Sequence, residues 1–316
     1  MAIWEFRMIL VSGETVIDLF SETAPDGATV FRPVEGGSPF NMAIGCARLG
    51  APTAFLWALS TDIFGKRFRA ALEKSGLVLD WALETSRNST LSFVDLSSGS
   101  PAYTFLDEGS AGRLFDPAEA PPIDDRATLL HVGSYVLGTE PVGARLEALV
   151  AREASRRLIS LDINVRPSLV TDAETYKARL SHIVSLASIV KASDEDLAWL
   201  MPGRSPLEVA EGWIAGGAAL AIVTLGAKGS LIVCREAVAE RPTKATKIVD
   251  TVGAGDAFMA GILSGLERRG FLTRAALDGL SLSDITSLAD EASTIAAIVC
   301  SRRGPDMPWK NEVPGL

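Results

Sequence analysis

Residues 247–261 read Lys247-Ile248-Val249-Asp250-Thr251-Val252-Gly253-Ala254-Gly255-Asp256-Ala257-Phe258-Met259-Ala260-Gly261. A β-branched run ends here in a turn of very small residues, and the turn opens directly into an apolar helix. Because Gly253, Ala254 and Gly255 carry almost no side chain, successive backbone N–H groups can point at one spot, where the helix adds the positive end of its dipole. The pattern predicts an anion-binding hole with Asp256 at its mouth.

The carboxylate of Asp256 admits two interpretations. Acids in the first turn of a helix are most often caps. Two features favour a different role, because a second acid, Asp250, precedes the turn and the three tiny residues expose more backbone than capping requires. A carboxylate beside a bound polyphosphate is unfavourable unless a metal ion bridges them or the carboxylate takes a proton, which is the division of labour in phosphoryl transfer. The local pattern leaves both interpretations open.

The run D-T-V-G-A-G-D-A-F, residues 250–258, resembles the signature of the ribokinase-like (PfkB) family of carbohydrate and nucleoside kinases. A second run, Glu35-Gly36-Gly37-Ser38-Pro39-Phe40-Asn41, is similar to the family's G-G-x-x-x-N motif, and the resemblance extends from about Met8 to Pro308. In this family the second Asp is the catalytic base and the G-A-G turn is the anion hole. The resemblance therefore implies catalytic roles for Gly253, Ala254, Gly255 and Asp256.

The composition is that of an ordinary globular protein. Of the 316 residues, 47% are hydrophobic and 22% are charged, which is enough to bury a full core. The net charge of -9 argues against a nucleic-acid partner. The longest uncharged run, Gly212 to Ala227, is too short for a membrane span, and we see no secretory signal at the N-terminus. Three widely separated cysteines predict reduced thiols and a cytoplasmic protein: Cys46, Cys234 and Cys300.

Strands alternate with helices from Leu129 to Thr224, which predicts a parallel sheet covered by helices on both faces. The expected fold class is a three-layer α/β/α arrangement around a mostly parallel central sheet, as in ribokinase-like proteins. Residues 15–36 and 89–108 would form a small β-sheet lid, and residues 1–14, 37–88 and 109–316 would form the core. In some relatives the lid also dimerises, which implies a homodimer. The β-rich segments of the lid are Val16–Phe20, Thr29–Val34, Leu91–Leu96 and Ala102–Leu106.

Several residues are expected to hold the sugar. Asp18 lies in an apolar segment, where a carboxylate needs hydrogen-bond donors such as sugar hydroxyls, and a solvated turn acid is the alternative. The double glycine lets backbone approach a small ligand, and Asn41 opens the next helix with its amide directed at the same place. Arg166 closes a D-x-N-x-R motif and is a candidate for phosphoryl oxygens or an acidic sugar group, with a surface ion pair as the alternative. The full set is Asp18, Gly36, Gly37, Asn41, Tyr103, Phe105 and Arg166.

The nucleotide-binding residues follow from the resemblance. Thr224 to Gly229 resembles the family's T-x-G-x-x-G nucleotide loop, and no P-loop or dinucleotide fingerprint is present. Ser193 and Asp196 stand where the family has the Asn and Glu of N-x-x-E, and Ser293 stands where an Asn is common. The resulting set is Lys191, Ser193, Thr224, Gly226, Gly229 and Ser293 for ATP, Asp196 indirectly for Mg²⁺, and Asp250 for a monovalent cation, K⁺.

Together, the motifs and the resemblance imply an ATP-dependent sugar kinase that transfers the γ-phosphoryl group to a primary hydroxyl of a small sugar. Fructose is the first expectation, because Val11–Glu14, Tyr103–Phe105 and Lys191–Glu195 look most like the corresponding segments of bacterial fructokinases. The nearest alternative is a 2-keto-3-deoxygluconate kinase, and a ribokinase or nucleoside kinase is less favoured. A catalytically silent sugar-binding regulator is the non-enzyme alternative, and the presence of Asp256 in an intact turn argues against it.

Overall fold

A computed structural model of the chain describes residues 7–95, 102–245 and 247–316. Its strands are β1 (Met8–Val11), β2 (Val16–Thr23), β3 (Thr29–Gly36), β4 (Thr53–Phe55), β5 (Ala58–Ser60), β6 (Leu83–Thr85), β7 (Thr90–Asp95), β8 (Ala102–Leu106), β9 (Ala127–Gly133), β10 (Leu158–Asp162), β11 (Ile189–Ser193), β12 (Leu220–Thr224), β13 (Ser230–Cys234) and β14 (Val238–Arg241). Its α-helices are α1 (Ser38–Arg48), α2 (Ile63–Lys74), α3 (Val142–Glu153), α4 (Ala173–Leu186), α5 (Asp194–Leu200), α6 (Pro206–Ala215), α7 (Ala254–Arg268), α8 (Arg274–Asp278) and α9 (Leu282–Cys300).

The central sheet contains eight of the described strands, in the order β14-β13-β12-β11-β10-β9-β1-β4. Neighbours from β4 through β12 pair in parallel, whereas β13 and β14 add an antiparallel edge. Strands β1, β10 and β13 are buried along their whole length, as expected for a sheet that is covered on both faces. The arrangement confirms the predicted three-layer fold with a mostly parallel central sheet.

A second, smaller sheet has the strand order β3-β2-β7-β8. Strand β2 pairs with β3 in antiparallel and with β7 in parallel, and β7 pairs with β8 in antiparallel. The four β-rich segments therefore do share one small sheet, and the predicted connection between β7 and β8 lies outside the described residues. We keep the name lid for residues 15–36 and 89–108, and the division of the chain at these boundaries stays a prediction.

The helices that carry the site pack unusually close to one another. A Cβ atom on Gly45 of α1 would lie 2.7 Å from the Cβ of Ala260 on α7. Likewise, a Cβ atom on Gly261 of α7 would lie 2.7 Å from the Cα of Ala292 on α9. These glycines therefore set the distance between the helices.

Among the helices in the described ranges, we find none with the length and apolar character needed to span a bilayer.

Two local predictions are wrong. The run Thr53 to Ser60 predicts one strand, but the chain leaves the central sheet after β4, and β5 pairs with β6 in a separate two-stranded sheet. Asn41 does not open its helix, because α1 begins at Ser38 with Pro39 in the first turn, where a missing N–H costs nothing. Helix α8 and strand β14 are not predicted, since five and four residues are too few to show a hydrophobic period.

The carboxylate of Asp62 ties the lid to the core. Its Oδ1 accepts hydrogen bonds from the backbone N of Phe64 at 2.9 Å and of Gly65 at 2.7 Å, which caps α2. Ser89, the residue before β7, donates from its backbone N to Oδ2 at 2.7 Å and from its hydroxyl to Oδ1 at 2.9 Å. One side chain therefore fixes both the start of a core helix and the point where the chain enters the lid.

Replacing this residue should destabilise the protein more than the loss of an ordinary cap. We expect Asp62→Ala to lower the free energy of unfolding by about 2 kcal/mol, since it removes a cap and the bonds to Ser89 together. The matched control is Asp172→Ala, because Asp172 caps α4 through Thr175 alone. Denaturant unfolding of the two variants measures the difference. Equal losses would mean that the contact with Ser89 contributes nothing to stability.

Candidate active site

A cleft of about 970 Å³ opens at the carboxyl ends of the central strands and is closed on one side by β2 and β3 of the lid. Ligands of open parallel sheets bind at this end. Ala254, Gly226, Gly229 and Ser293 are not among the described residues that line it, and Tyr103 lies on β8 with a side chain outside the described part. The predicted residues that do line the cleft are Asp18, Gly36, Gly37, Asn41, Phe105, Arg166, Lys191, Ser193, Asp196, Thr224, Asp250, Gly253, Gly255 and Asp256.

The carboxylate of Asp256 is buried in the first turn of α7 and is held by two side chains of α1. The Ser38 hydroxyl donates to Oδ1 at 2.6 Å, and the Asn41 amide donates to Oδ2 at 2.9 Å. Burial raises the pKa of Asp256 above its usual range. Both oxygens therefore accept hydrogen bonds from side chains of a neighbouring helix, which orients the carboxylate. An oriented, buried acid with a raised pKa is suited to act as a general base. Ser38 was not predicted, although it stands inside the G-G-x-x-x-N run.

The turn before Asp256 has the geometry of an anion site. Gly253 adopts a φ of 80°, and a Cβ atom there would lie 2.6 Å from the Cβ of Pro305, so the position requires glycine. A Cβ atom on Gly255 would approach the Lys191 ammonium to 3.6 Å. The N-terminal end of α7, a helix of 15 residues, thus faces the cleft with a positive side chain beside it.

Lys191 forms a buried ion pair at the floor of the site. Its ammonium lies 2.6 Å from Oδ2 of Asp162, which pairs with it across the ends of β10 and β11. Burial raises the pKa of Asp162 to about 6, and its Oδ1 has no hydrogen-bond partner within the described structure. The pair fixes a positive charge next to the turn at Gly255.

Ser193 and Asp196 form the capping box of α5. The Ser193 hydroxyl accepts from the backbone N of Asp196 at 3.0 Å, and Asp196 Oδ2 accepts from the backbone N of Ser193 at 2.7 Å. Oδ1 of Asp196 accepts from the backbone N of Val165 at 2.8 Å, which ties α5 to the loop after β10. Across the described ranges we find no group of three or more His, Cys, Asp or Glu placed to hold a metal ion. The predicted role of Asp196 towards Mg²⁺ stays a prediction.

Two acids stand at the end of the cleft next to the lid: Glu14 is buried and Asp18 is half-buried. A Cβ atom on Gly36 would lie 2.7 Å from Oδ2 of Asp18, and one on Gly37 would lie 2.3 Å from the carbonyl oxygen of Glu14. Of the glycine pair predicted to admit a ligand, Gly36 makes room for the carboxylate of Asp18, and Gly37 makes room for the backbone at Glu14. Burial raises the pKa of Asp18 to about 6 and that of Glu14 to about 7. Glu14 was not predicted as a site residue.

Arg166 is exposed in the cleft wall. Its guanidinium donates to Oδ1 of Asn164 at 2.6 Å and to the carbonyl oxygen of Val165 at 3.0 Å. It forms no ion pair with any carboxylate of the described residues, so the predicted alternative of a surface ion pair is not observed. The guanidinium therefore keeps donors for a ligand.

The remaining predicted residues support loops around the cleft. Asp250 accepts from the backbone N of Val252 at 3.0 Å and of Gly304 at 2.9 Å, which joins the turn to the loop after α9. The Ser293 hydroxyl accepts from the backbone N of Lys244 at 3.1 Å. Gly229 adopts a φ of 108°, so glycine is required by the turn between β12 and β13 itself. Roles of these residues towards ligands stay predictions.

Comparison with known proteins identifies the family. The chain matches the family described as pfkB family carbohydrate kinase over residues 7–311. A fructokinase of Rhizobium leguminosarum bv. trifolii is 39% identical over 278 residues, which cover 87% of this chain and 85% of that protein. The chain belongs to the pfkB family of carbohydrate kinases, and it is therefore a phosphotransferase.

Solved structures agree with this assignment. The crystal structure of a fructokinase with bound ATP from Xylella fastidiosa has a TM-score of 0.88 and 29% sequence identity, with 97% of each chain covered. A double mutant of the fructokinase from Vibrio cholerae O395, in a form with bound fructose, ADP and potassium ion, has a TM-score of 0.81 and 25% identity. That likeness covers 95% of this chain and 94% of the other. The ribokinase-like fold is therefore shared along nearly the whole chain.

The raised pKa values of the cleft acids predict a pH dependence of sugar phosphorylation. Asp256 accepts a proton only when it is ionised, and a raised pKa keeps it protonated at a higher pH than an ordinary carboxyl, for which about 4 is usual. Activity should therefore fall as the pH falls, and with the pKa of Asp18 at about 6, we expect the midpoint of the fall in kcat/KM at pH 6 or above.

This pH profile is measured by steady-state kinetics between pH 5 and 9, in buffers of roughly constant ionic strength of about 0.1 M. Far-UV circular dichroism at each pH is the control that the chain stays folded. A kcat/KM that is unchanged between neutral pH and pH 5 would contradict a role for Asp256 as the base and for Asp18 in binding the sugar.

Proposed function

We propose that this kinase phosphorylates D-fructose with ATP and yields fructose 6-phosphate and ADP. The observation that carries the proposal is the buried Asp256 carboxylate, fixed by Ser38 and Asn41 at the N-terminal end of α7. The sugar is suggested by the relatives named fructokinase, since one of them is 39% identical to this chain.

In the proposed reaction, Asp256 removes the proton from the primary hydroxyl of the sugar, and that oxygen attacks the γ-phosphorus of ATP. The bond between the γ-phosphorus and the bridging oxygen breaks, and ADP leaves with its electron pair. The backbone N–H groups of Gly253 and Gly255 and the Lys191 ammonium stabilise the negative charge of the transferring group, whereas the N–H of Ala254 donates to the carbonyl oxygen of Thr251. The residues of this chain thus supply a base on one side and positive charge on the other.

Mg²⁺ would bind mainly to the ATP phosphates. Among the described residues no three His, Cys, Asp or Glu side chains are grouped so that they could hold a metal ion by themselves. A monovalent cation, K⁺, would bind beside Asp250, where each carboxylate oxygen accepts one backbone N–H and keeps a further lone pair. Either ion would add positive charge near the transferring phosphoryl group.

The outer surface of the lid suggests a homodimer. Val30, Phe31 and Leu106 are exposed apolar side chains on the two edge strands of the lid, β3 and β8, and a second copy of the chain would cover such side chains. A cytoplasmic location is supported by the three free, buried cysteines. Both assignments are proposals on these grounds.

The Asp256→Asn variant tests the proposed base. Turnover should fall by roughly 10²–10⁴, the usual contribution of a positioned general base, while the KM for ATP stays nearly unchanged. The fold should be kept, because the amide has the shape of the carboxylate and its oxygen still accepts a hydrogen bond from one of the two donors of α1. Asp284→Asn is the matched control, since Asp284 lies in the first turn of α9 and serves only its capping box. Turnover close to that of the wild type would identify Asp256 as a structural residue.

A second sugar deserves a test because Arg166 stands in the cleft without a carboxylate partner in the described structure. A 2-keto-3-deoxygluconate kinase would use it to bind the acid group of its substrate. In that case Arg166→Ala should weaken the binding of that substrate by about 1.5–3 kcal/mol, the range for a charged hydrogen bond. We expect instead that the wild type prefers fructose and that the variant loses mainly kcat.

This prediction is checked by kcat and KM for both sugars in the wild type and in Arg166→Ala. Arg156→Ala is a control, because it removes an exposed arginine that pairs with Asp125 away from the cleft. A wild-type preference for ketodeoxygluconate that disappears in Arg166→Ala would replace fructose as the substrate and leave the kinase chemistry unchanged.

A further inference from the structure

Glu14 is a buried acid of the cleft that the proposed mechanism does not use. It lies between β1 of the core and β2 of the lid, and its side chain is 2% exposed. Its Oε1 accepts a hydrogen bond from the Ser134 hydroxyl at 2.6 Å and one from the backbone N of Ser38 at 3.3 Å. Its Oε2 is buried and has no hydrogen-bond partner in the part of the chain that the structure describes.

This arrangement is costly for the protein. A buried carboxylate oxygen without a donor loses its hydration and gains nothing in return. Burial accordingly raises the pKa of Glu14 to about 7. If Glu14 served only to accept hydrogen bonds from Ser134 and Ser38, a neutral Gln would accept them through its own Oε1 and would place no charge in the buried site. Glu14 lines the cleft, so a bound ligand with a hydroxyl group could supply the donor that its Oε2 lacks.

We propose that Glu14 is a second sugar-binding carboxylate, whose Oε2 accepts a hydrogen bond from a hydroxyl group of a neutral sugar. The inference rests on the proposed function and extends it to the choice of substrate. Asp18 on β2 lines the same cleft, so two acceptors face the sugar. Two carboxylates suit a polyol, which offers a hydroxyl proton to each, and they repel a sugar acid, whose carboxylate has no proton to donate.

The geometry also separates Glu14 from the base, so Glu14 affects which sugar binds and not the transfer of the phosphoryl group. Its contact with Ser38 is made through the backbone N, whereas the hydroxyl of Ser38 is the group that binds Asp256. A Gln at this position keeps an acceptor for Ser38 and Ser134 and changes only the group that faces the sugar. Substitution by Gln should therefore affect sugar binding and leave the base in place.

The experiment measures fructose binding by isothermal titration calorimetry and kcat and KM by a coupled assay, for the wild type, Glu14→Gln and Glu14→Ala. The control is Glu35→Gln, because Glu35 also lines the cleft but its Oε1 is 2.6 Å from Nε of Arg67. It removes the same charge without removing an unpaired acceptor. The melting temperature of each variant reports folding.

We expect Glu14→Gln to weaken fructose binding roughly tenfold and to raise the KM for fructose equally, with the KM for ATP and kcat nearly unchanged. Glu14→Ala should lose more affinity for fructose than Glu14→Gln, whereas Glu35→Gln should change fructose binding less than about twofold. The melting temperature of Glu14→Gln should not fall. The preference for fructose over ketodeoxygluconate should also shrink in Glu14→Gln.

Equal fructose binding by the wild type and Glu14→Gln would overturn the role of Glu14 and leave the proposed function standing. A loss in kcat alone would also overturn it, since that result would mean that Glu14 positions Asp256 through Ser38. A wild type that binds another neutral sugar but not fructose would overturn the proposed substrate, and the same comparison with that sugar would decide on Glu14. No binding of any neutral sugar by the wild type would overturn both.

Discussion

The contact between α1 and α7 is the constraint on which the rest of the site depends. The carboxylate of Asp256, the proposed base, stands on α7, and the two groups that hold it, Ser38 and Asn41, stand on α1. Hydrogen bonds of 2.6 and 2.9 Å tolerate little change in the distance between the two helices. That distance is set by small residues, since a single methyl group on Gly45 would press on Ala260. A larger residue there would separate the acid from its donors even if the fold survived.

Ser38 connects Glu14, at the end of the cleft next to the lid, to Asp256. Its backbone N binds Glu14, which lies where the chain passes from the core into the lid, and its hydroxyl binds Asp256. Glu14 in turn binds Ser134, which has a φ of 71°, rare for a residue with a side chain. The two contacts use different atoms of Ser38, so a change at Glu14 that keeps an acceptor for the backbone N leaves the hydroxyl contact with Asp256 in place. The backbone of Ser38, by contrast, must keep its position for both contacts to form.

The sequence allowed the prediction of those parts of the site that depend on local pattern. The turn at Gly253 and helix α7 could be predicted because small residues followed by an apolar period have few other structures available. The position of Asp256 in the cleft followed from that turn. The parallel order of the central strands followed from the alternation of strands and helices.

The partners of these residues could not be predicted in the same way. Ser38 and Asp256 are 218 residues apart in the chain, and Ser134 and Glu14 are 120 apart, so only the packed fold brings them together. Gly36 and Gly37 were predicted to line the site, but Gly36 also makes room for the carboxylate of Asp18, and that contact depends on the pairing of β2 with β3. Hydrogen bonds between distant segments leave no period in the sequence.

The remaining physical problem is that an acidic protein must accept a polyphosphate. The net charge of -9 matters less than the charges inside the cleft, because charges beyond about 8–10 Å are largely screened. At the floor, Lys191 is held by Asp162 and cannot move away, and the N-terminal end of α7 adds about half a positive charge. At the rim, Arg303 contacts Glu22 of the lid in an exposed pair, which contributes little to stability. Glu22 has a second cationic partner, Arg32, so loss of the Arg303 contact would cost the lid little.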